Sequence, residues 1–166
     1  MTLNNDVIRE VTAALILIPL TLFMQSAGMA AMIVWGRGYF ARHRFHFGLF
    51  RCTELTVRCT SALLILHTFQ ILLWTAFYRW KCFSDLERAF YFSATSYSTV
   101  GYGDVVLPPI WRLLGPIESI TGVLMCGLSA SLLFAVVTRL VGHEEKFESS
   151  KDPTALTART NEEAPL

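Results

Sequence analysis

Long apolar segments separated by short polar ones dominate the chain. Three of them, at residues 11–35, 59–78 and 111–140, are apolar along nearly their whole length. Because a helix rises about 1.5 Å per residue, each segment is long enough to cross a hydrocarbon core of about 30 Å. A fourth helical segment, at residues 85–97, is too short to cross it. The pattern therefore predicts three membrane-spanning helices and one half-helix.

The half-helix begins with the signature of a helix N-terminus. In Ser84-Asp85-Leu86-Glu87, the Ser84 hydroxyl can accept a hydrogen bond from the backbone of Glu87, and the Glu87 side chain can reach back. The two acids also suit the positive end of a helix. We therefore expect the helix to start at Asp85, to end near Tyr97, and to point its negative end into the membrane.

A polar, glycine-rich segment follows the half-helix directly. Its sequence is Thr99-Val100-Gly101-Tyr102-Gly103-Asp104. Glycines adopt backbone conformations that other residues avoid, and alternating these with ordinary ones can turn successive carbonyl oxygens the same way. A column of carbonyls replaces the hydration shell of an ion. Thr99 can add a hydroxyl at the inner end, and Asp104 a carboxylate at the outer end. An exposed turn is the alternative, but it does not explain the apolar helices on both sides.

Residues 60–141 resemble the pore domain of bacterial two-helix potassium channels, chiefly through this hexapeptide. The resemblance implies an all-α membrane protein with the potassium channel pore fold. Its parts are three transmembrane helices, a re-entrant pore helix and a selectivity-filter loop. The first transmembrane helix is an addition to the two helices of the family. Potassium is the permeant ligand, and no cofactor is implied. The expected ion-binding residues are Thr99, Val100, Gly101, Tyr102 and Gly103, with K⁺ held at the first four and Asp104 at the outer mouth. One chain supplies one filter strand, so we expect a homotetramer around a central axis.

The resemblance extends to the third apolar segment. Gly122 and Gly127 match glycines of the family's inner helix, where bending is linked to opening, although close helix packing explains them equally well. At helical spacing Gly122, Cys126, Ala130 and approximately Phe134 share one stripe. The family turns the matching stripe toward the pore, so we expect Cys126 and Ala130 to line its cavity.

The half-helix also carries positions that correspond to the family. Tyr91 and Phe92 fall where the family has aromatic residues that pack around the filter. Thr95 occupies a position where some members carry an acid behind the filter.

Two ionisable residues lie within the apolar segments. His67 is at mid-span, where we expect a neutral histidine that bonds a neighbour such as Gln70. Glu118 lies near the outer end of the third segment. It can pair with Arg88 or Arg112, or simply complement the helix dipole.

Composition agrees with a membrane protein and excludes several other classes. The chain is 53% hydrophobic and 16% charged, with a net charge of +1. The small net charge does not indicate a nucleic-acid partner, and none is expected. The four cysteines have no spacing typical of a zinc site or a disulfide framework. No arrangement of catalytic residues indicates an enzyme. The expected partners are membrane lipids and further copies of the chain.

The distribution of arginine predicts the orientation. Residues 37–58 contain five arginines and one opposing acid, Glu54, so we expect this stretch in the cytoplasm, either as a solvated loop or partly flat on the membrane. The N-terminus then lies outside and the tail inside, in a membrane that we expect to be the bacterial inner membrane. A signal peptide is the rival interpretation of the first segment, because residues 26–31 resemble a cleavage site.

The chain therefore divides into three regions. Residues 1–58 hold the first helix and the basic stretch, residues 59–141 the pore domain, and residues 142–166 a disordered cytoplasmic tail. We expect a channel that conducts K⁺ passively. A non-conducting or regulatory membrane subunit and a less selective cation channel are the alternatives. Gating by protons, lipid or tension is equally compatible with the sequence.

Overall fold

The computed structural model describes residues 2–42 and 49–151, with side chains described for residues 6–39, 50 and 53–139. In this part of the chain all regular structure is helical. The elements are α1 (Thr2–Arg42), α2 (Leu49–Lys81), α3 (Leu86–Tyr97), a short 3₁₀ turn (Pro109–Trp111) and α4 (Leu114–Lys151). Three segments are long and apolar enough to cross a membrane, namely Asp6–Tyr39, Thr53–Lys81 and Pro109–Arg139. The three long apolar helices that the sequence predicted are therefore confirmed, and their length and composition suit membrane spans.

The helices extend well beyond the apolar segments. Residues 37–42 end α1 and residues 49–58 begin α2, so the solvated loop, one of the two alternatives for this basic stretch, is wrong over both ranges. Arginine is a good helix former, and Arg58 pairs with Glu54 one turn before it at 2.6 Å. Charge alone therefore does not end these helices. The intervening residues 43–48 lie outside the described part.

The start of the expected disordered tail is also helical. Helix α4 continues to Lys151, so residues 142–151 are a correction to that prediction, and residues 152–166 lie outside the described part. A glycine inside a helix costs only about 1 kcal/mol relative to alanine, so Gly142 does not stop an established helix. Pro153 follows two residues after the end of α4, where proline disfavours helix in the preceding residue.

Helix α3 begins one residue later than the capping-box pattern predicted. Its N-cap is Asp85 rather than Ser84, with φ −114° and ψ 134°, and the Asp85 carboxylate accepts a hydrogen bond from the backbone N–H of Arg88 at 3.3 Å. A carboxylate at this position satisfies a free N–H and also complements the helix dipole. Helix α3 has 12 residues, or about 18 Å of length, and is therefore too short to cross a membrane.

The helix bundle is closed by contacts of α1 with α2 and α4. Near one end, the Glu10 carboxylate accepts a hydrogen bond from the backbone N–H of Leu113, just before α4, at 2.9 Å. Near the other end, Arg37 of α1 and Arg139 of α4 line one cavity. Helices α1 and α4 therefore run in the same direction. Since α2 lies between them in the chain and returns, it runs opposite to both.

The main apolar core lies at the end of the bundle near Glu10. It joins Ala13 and Leu17 of α1 to Trp74 and Tyr78 of α2 and to Phe92 of α3. Burying large aromatic side chains on three helices stabilises their relative placement. This core therefore holds α3 in a defined position against the longer helices.

Candidate functional site

The backbone of the glycine-rich segment alternates in conformation. Among the described residues, positive φ angles occur only at Thr99 (62°), Gly101 (51°) and Gly103 (78°). Glycine adopts these angles freely, whereas a β-branched residue such as threonine does so at a cost of about 1–2 kcal/mol. Such strain is typical of functional sites. The two glycines predicted the alternation, but nothing in the sequence predicted that Thr99 shares it.

The carbonyl groups of this segment are left free. Within the described part of the chain, no hydrogen bond is accepted by a backbone carbonyl of residues 99–103. All six residues from Thr99 to Asp104 are exposed in the single chain. A carbonyl in a folded protein normally has a partner. Here the partner has to come from water, an ion or another chain.

Hydrogen bonds to α3 hold both ends of the segment. At its start, the N–H groups of Thr99 and Gly101 donate to the carbonyls of Ser96 (3.0 Å) and Thr95 (3.1 Å). At its end, the Tyr91 hydroxyl donates to the Asp104 carboxylate at 2.9 Å. The chain therefore reverses after α3 and runs back along it.

Tyr91 and Phe92 of α3 make different contacts. The Tyr91 ring stacks on the Tyr102 ring, with centroids 6.5 Å apart and planes at 15°. The Phe92 ring instead meets Tyr78 of α2 edge-on at 5.1 Å, in the apolar core. Tyr91 thus contacts the segment directly, whereas Phe92 anchors the helix that carries it. The Thr95 hydroxyl donates to the carbonyl of Tyr91 at 2.9 Å, within α3 itself.

Helix α4 packs tightly against the C-terminal end of α3. A Cβ on Gly122 would lie 2.2 Å from the carbonyl oxygen of Tyr97, which is far too close. The neighbouring Ser119 hydroxyl donates to the carbonyl of Ser96 at 2.7 Å. Gly122 is therefore required for close packing. Gly127 has open space around its Cβ position, so packing within the chain does not explain it.

The expected cavity stripe is partly on an open face. Cys126, Ala130 and Phe134 are exposed in the single chain, and Phe134 is 72% exposed. Gly122 differs from them, because it is buried against α3. The lining role of Cys126 and Ala130 stays a prediction, because it concerns an assembly of several chains.

Glu118 does not pair with an arginine. It is fully buried and accepts hydrogen bonds from the hydroxyls of Tyr78 at 2.9 Å and Ser93 at 2.6 Å. Arg88 and Arg112, the partners expected from the sequence, are both exposed. Glu118 faces inward toward α2 and α3, where two hydroxyl donors offset the cost of burying a carboxyl group.

A buried polar network lies directly behind the start of the glycine-rich segment. The Tyr97 hydroxyl donates to the side-chain oxygen of Gln70 and lies 2.8 Å from Nδ1 of His67. His67 Nε2 lies 2.9 Å from the hydroxyl of Ser129 on α4. His67 therefore bonds Tyr97 and Ser129, and Gln70 joins the same network through Tyr97.

Helix α1 completes this network. The Gln25 side chain donates to the Ser129 hydroxyl at 2.9 Å and accepts from Gln70 at 2.8 Å. One turn earlier along α1, the Thr21 hydroxyl accepts a hydrogen bond from the Trp74 indole at 3.1 Å. Gln25 and Glu10 connect helices although neither was predicted from the sequence. The available signal was a polar side chain in an apolar segment, since such groups need partners.

Comparison with known proteins agrees with this architecture. Residues 61–139, a little under half of the chain, match a family model described as an ion channel. No curated protein and no solved structure matches the chain. The match covers most of α2, all of α3 and the glycine-rich segment, and α4 as far as Arg139. Together with the three long apolar helices, it supports an integral membrane protein with an ion-channel pore, and it suggests a non-enzyme that works as an oligomer.

Proposed function

We propose that this chain is the subunit of a homotetrameric, potassium-selective channel whose filter is formed by residues 99–103. The proposal rests on the alternating positive φ angles at Thr99, Gly101 and Gly103. The backbone carbonyls of this segment accept no hydrogen bond from the described part of the chain. Four such strands around one axis enclose a column of carbonyl oxygens. These oxygens replace the hydration shell of K⁺ as it enters.

The surrounding residues would favour a dehydrated cation in this column. The C-terminal end of α3, which precedes Thr99 directly, carries the negative end of the helix dipole. The Asp104 carboxylate attracts cations to the outer mouth, and Tyr91 holds it in place through their hydrogen bond. Thr99 adds its hydroxyl at the inner end. Transport is passive and follows the electrochemical gradient of K⁺.

The arrangement of the helices supports one orientation. The N-terminal ends of α1 and α4 lie together, and the arginine-rich ends of α1 and α2 lie at the opposite end. Arginine-rich ends face the cytoplasm. In the proposed orientation the N-terminus and Asp104 face outward and α4 ends inside. We further propose that the membrane is a bacterial inner membrane.

Substitution of Gly103 by alanine tests the function. With φ at 78° the added Cβ meets no atom within 4 Å, so the effect is conformational strain rather than a clash. The strain is on the order of 1 kcal/mol per subunit, and it is relieved when the carbonyls rotate away from the ion. We expect Gly103→Ala to lose selective K⁺ flux in liposomes while the crosslinked tetramer remains.

Three outcomes separate this function from its alternatives. Selective flux that persists in Gly103→Ala would show that residues 99–104 are an ordinary turn. A wild-type protein that carries Na⁺ and K⁺ equally, judged from reversal potentials in mixed salts, would be a less selective cation channel. A tetramer without any flux would be a non-conducting subunit.

A further inference from the structure

A cavity of about 210 Å³ lies between α1, α2 and α4, at the end of the bundle opposite Glu10. Most of its wall is apolar, with Met32 from α1, Leu55 from α2, and Leu132 and Val136 from α4. It adjoins a small apolar cluster centred on Leu55 and Cys59. The cavity is distant from the glycine-rich segment and is separate from the proposed filter.

Two arginines from different helices line the same cavity. Arg37 belongs to the C-terminal end of α1 and Arg139 to α4, and both are exposed. Among the side chains that the structure describes, neither guanidinium has an ion-pair partner, whereas Arg58 nearby is neutralised by Glu54 at 2.6 Å. Two uncompensated positive charges beside an apolar chamber call for a ligand that carries a negative charge on an apolar body.

We propose that this cavity binds one anionic phospholipid of the membrane leaflet in which it lies. The phosphate would be held between Arg37 and Arg139, and an acyl chain would enter the chamber lined by Met32, Leu55 and Val136. Guanidinium groups suit phosphate because their planar donors match its oxygens. Basic pockets between transmembrane helices bind anionic head groups in the same way.

The site depends on the first helix, because α1 supplies Arg37 and one apolar wall. A single arginine at a helix end reaches toward head groups in any membrane protein. Arginines that are far apart in the sequence and face one apolar cavity form a site of defined shape. The proposal requires only that the bundle lies in a membrane, so it stands apart from potassium selectivity.

Lipid binding to the purified full-length protein tests the proposal. Native mass spectrometry in detergent would compare phosphatidylglycerol with phosphatidylcholine of identical acyl chains. We expect retained phosphatidylglycerol on the wild type, and binding weaker by on the order of tenfold in an Arg37→Gln/Arg139→Gln double variant. The matched control is Arg9→Gln/Arg112→Gln, which removes two exposed arginines near the opposite ends of α1 and α4 and should bind like the wild type.

A second variant separates the cavity from general surface attraction. Ala135→Trp fills the cavity from α4 while leaving both arginines in place, so we expect it to weaken phosphatidylglycerol binding. Unchanged binding in Ala135→Trp would overturn the role of the cavity. Equal binding in the two double variants, or equal binding of the two lipids to the wild type, would overturn the site. Displacement of the lipid by glycerol 3-phosphate would show that the cavity binds the phosphate group alone, and it would overturn the role of the acyl chain.

Discussion

Single residues decide how the backbone of the glycine-rich segment is held. Thr99 adopts a φ of 62°, which its β-branched side chain disfavours, and it is held there because its own N–H and that of Gly101 donate to carbonyls of α3. Gly122 matters for a different reason, namely that it has no side chain. It lets the carbonyl of Tyr97 approach α4 closely. The hydrogen-bonded Thr99 and the close contact of Gly122 with Tyr97 together keep the start of the glycine-rich segment in place.

Gly122 and Gly127 provide a matched pair for the packing of α4. We expect Gly122→Ala to destabilise the folded protein, because the new methyl group would lie 2.2 Å from the Tyr97 oxygen and overpacking costs about 1–3 kcal/mol. Gly127→Ala meets nothing within 4 Å, and alanine favours helix. Thermal unfolding in detergent should therefore show a lower melting temperature for Gly122→Ala alone. Equal melting temperatures would argue against the contact.

At the scale of helices, polar side chains connect elements that apolar contacts alone would leave free to rotate or slide. Gln25 bonds Gln70 of α2 and Ser129 of α4, and Gln70 in turn accepts from Tyr97 at the end of α3. Each of these groups is buried. Because an unpaired buried polar group is costly, the four helices are held in one register. Helix α1 is thus a structural part of the bundle.

Substitution of Gln25 by leucine tests this connection. The change leaves the amide of Gln70 without its acceptor and the Ser129 hydroxyl without one donor, at a cost of about 1–3 kcal/mol. We expect a lower melting temperature and weaker potassium selectivity, because Tyr97 lies two residues before Thr99. Ser26→Leu is the control, since Ser26 is the exposed neighbour on the same helix. Selectivity that is the same in both variants would show that α1 does not influence the filter.

At the scale of the whole molecule, one chain leaves much of its functional surface open. The segment from Thr99 to Asp104 is exposed, as are Cys126, Ala130 and Phe134 on α4. In a membrane, exposed irregular backbone has to face water or other protein. The single chain is therefore consistent with an assembly in which these surfaces surround a central aqueous path.

Chemical modification of Cys126 tests where that path lies. We expect a charged thiol reagent applied from the cytoplasmic side to reduce K⁺ flux in the wild type and to spare Cys126→Ala. Cys126 is exposed, Cys59 is buried, and burial raises the pKa of the Cys82 thiol to about 11. A thiol with so high a pKa reacts slowly at neutral pH. The same insensitivity in both proteins would place Cys126 against protein or lipid.

The orientation predicts the accessibility of the two termini. A protease tag before Met1 should be cleaved in intact cells, and one after Leu166 should be protected, because the proposed orientation places the basic ends of α1 and α2 in the cytoplasm. Cleavage only after the cells are opened is the expected result for the second tag. Cleavage of both tags from the same side would contradict three spans.

The sequence alone determined the number of helices, the short α3 and the glycine-rich segment after it. These follow from local properties, since apolar length and glycine conformation need no distant partner. The helix ends were not predictable where stability depends on continuation of a helix. Residues 37–42, 49–58 and 142–151 contain charged residues but are helical, because extending an existing helix costs little compared with starting one.

Only the tertiary structure decided which polar groups meet. His67 bonds Tyr97 and Ser129, and Glu118 bonds two hydroxyls instead of an arginine. The contribution of Gln25 likewise emerges only when three helices pack around it. Such pairs are separated by tens of residues, and their choice depends on helix rotation. That rotation is determined by the summed packing of the aromatic core and by close contacts such as that between Gly122 and Tyr97. No local sequence pattern contains this information.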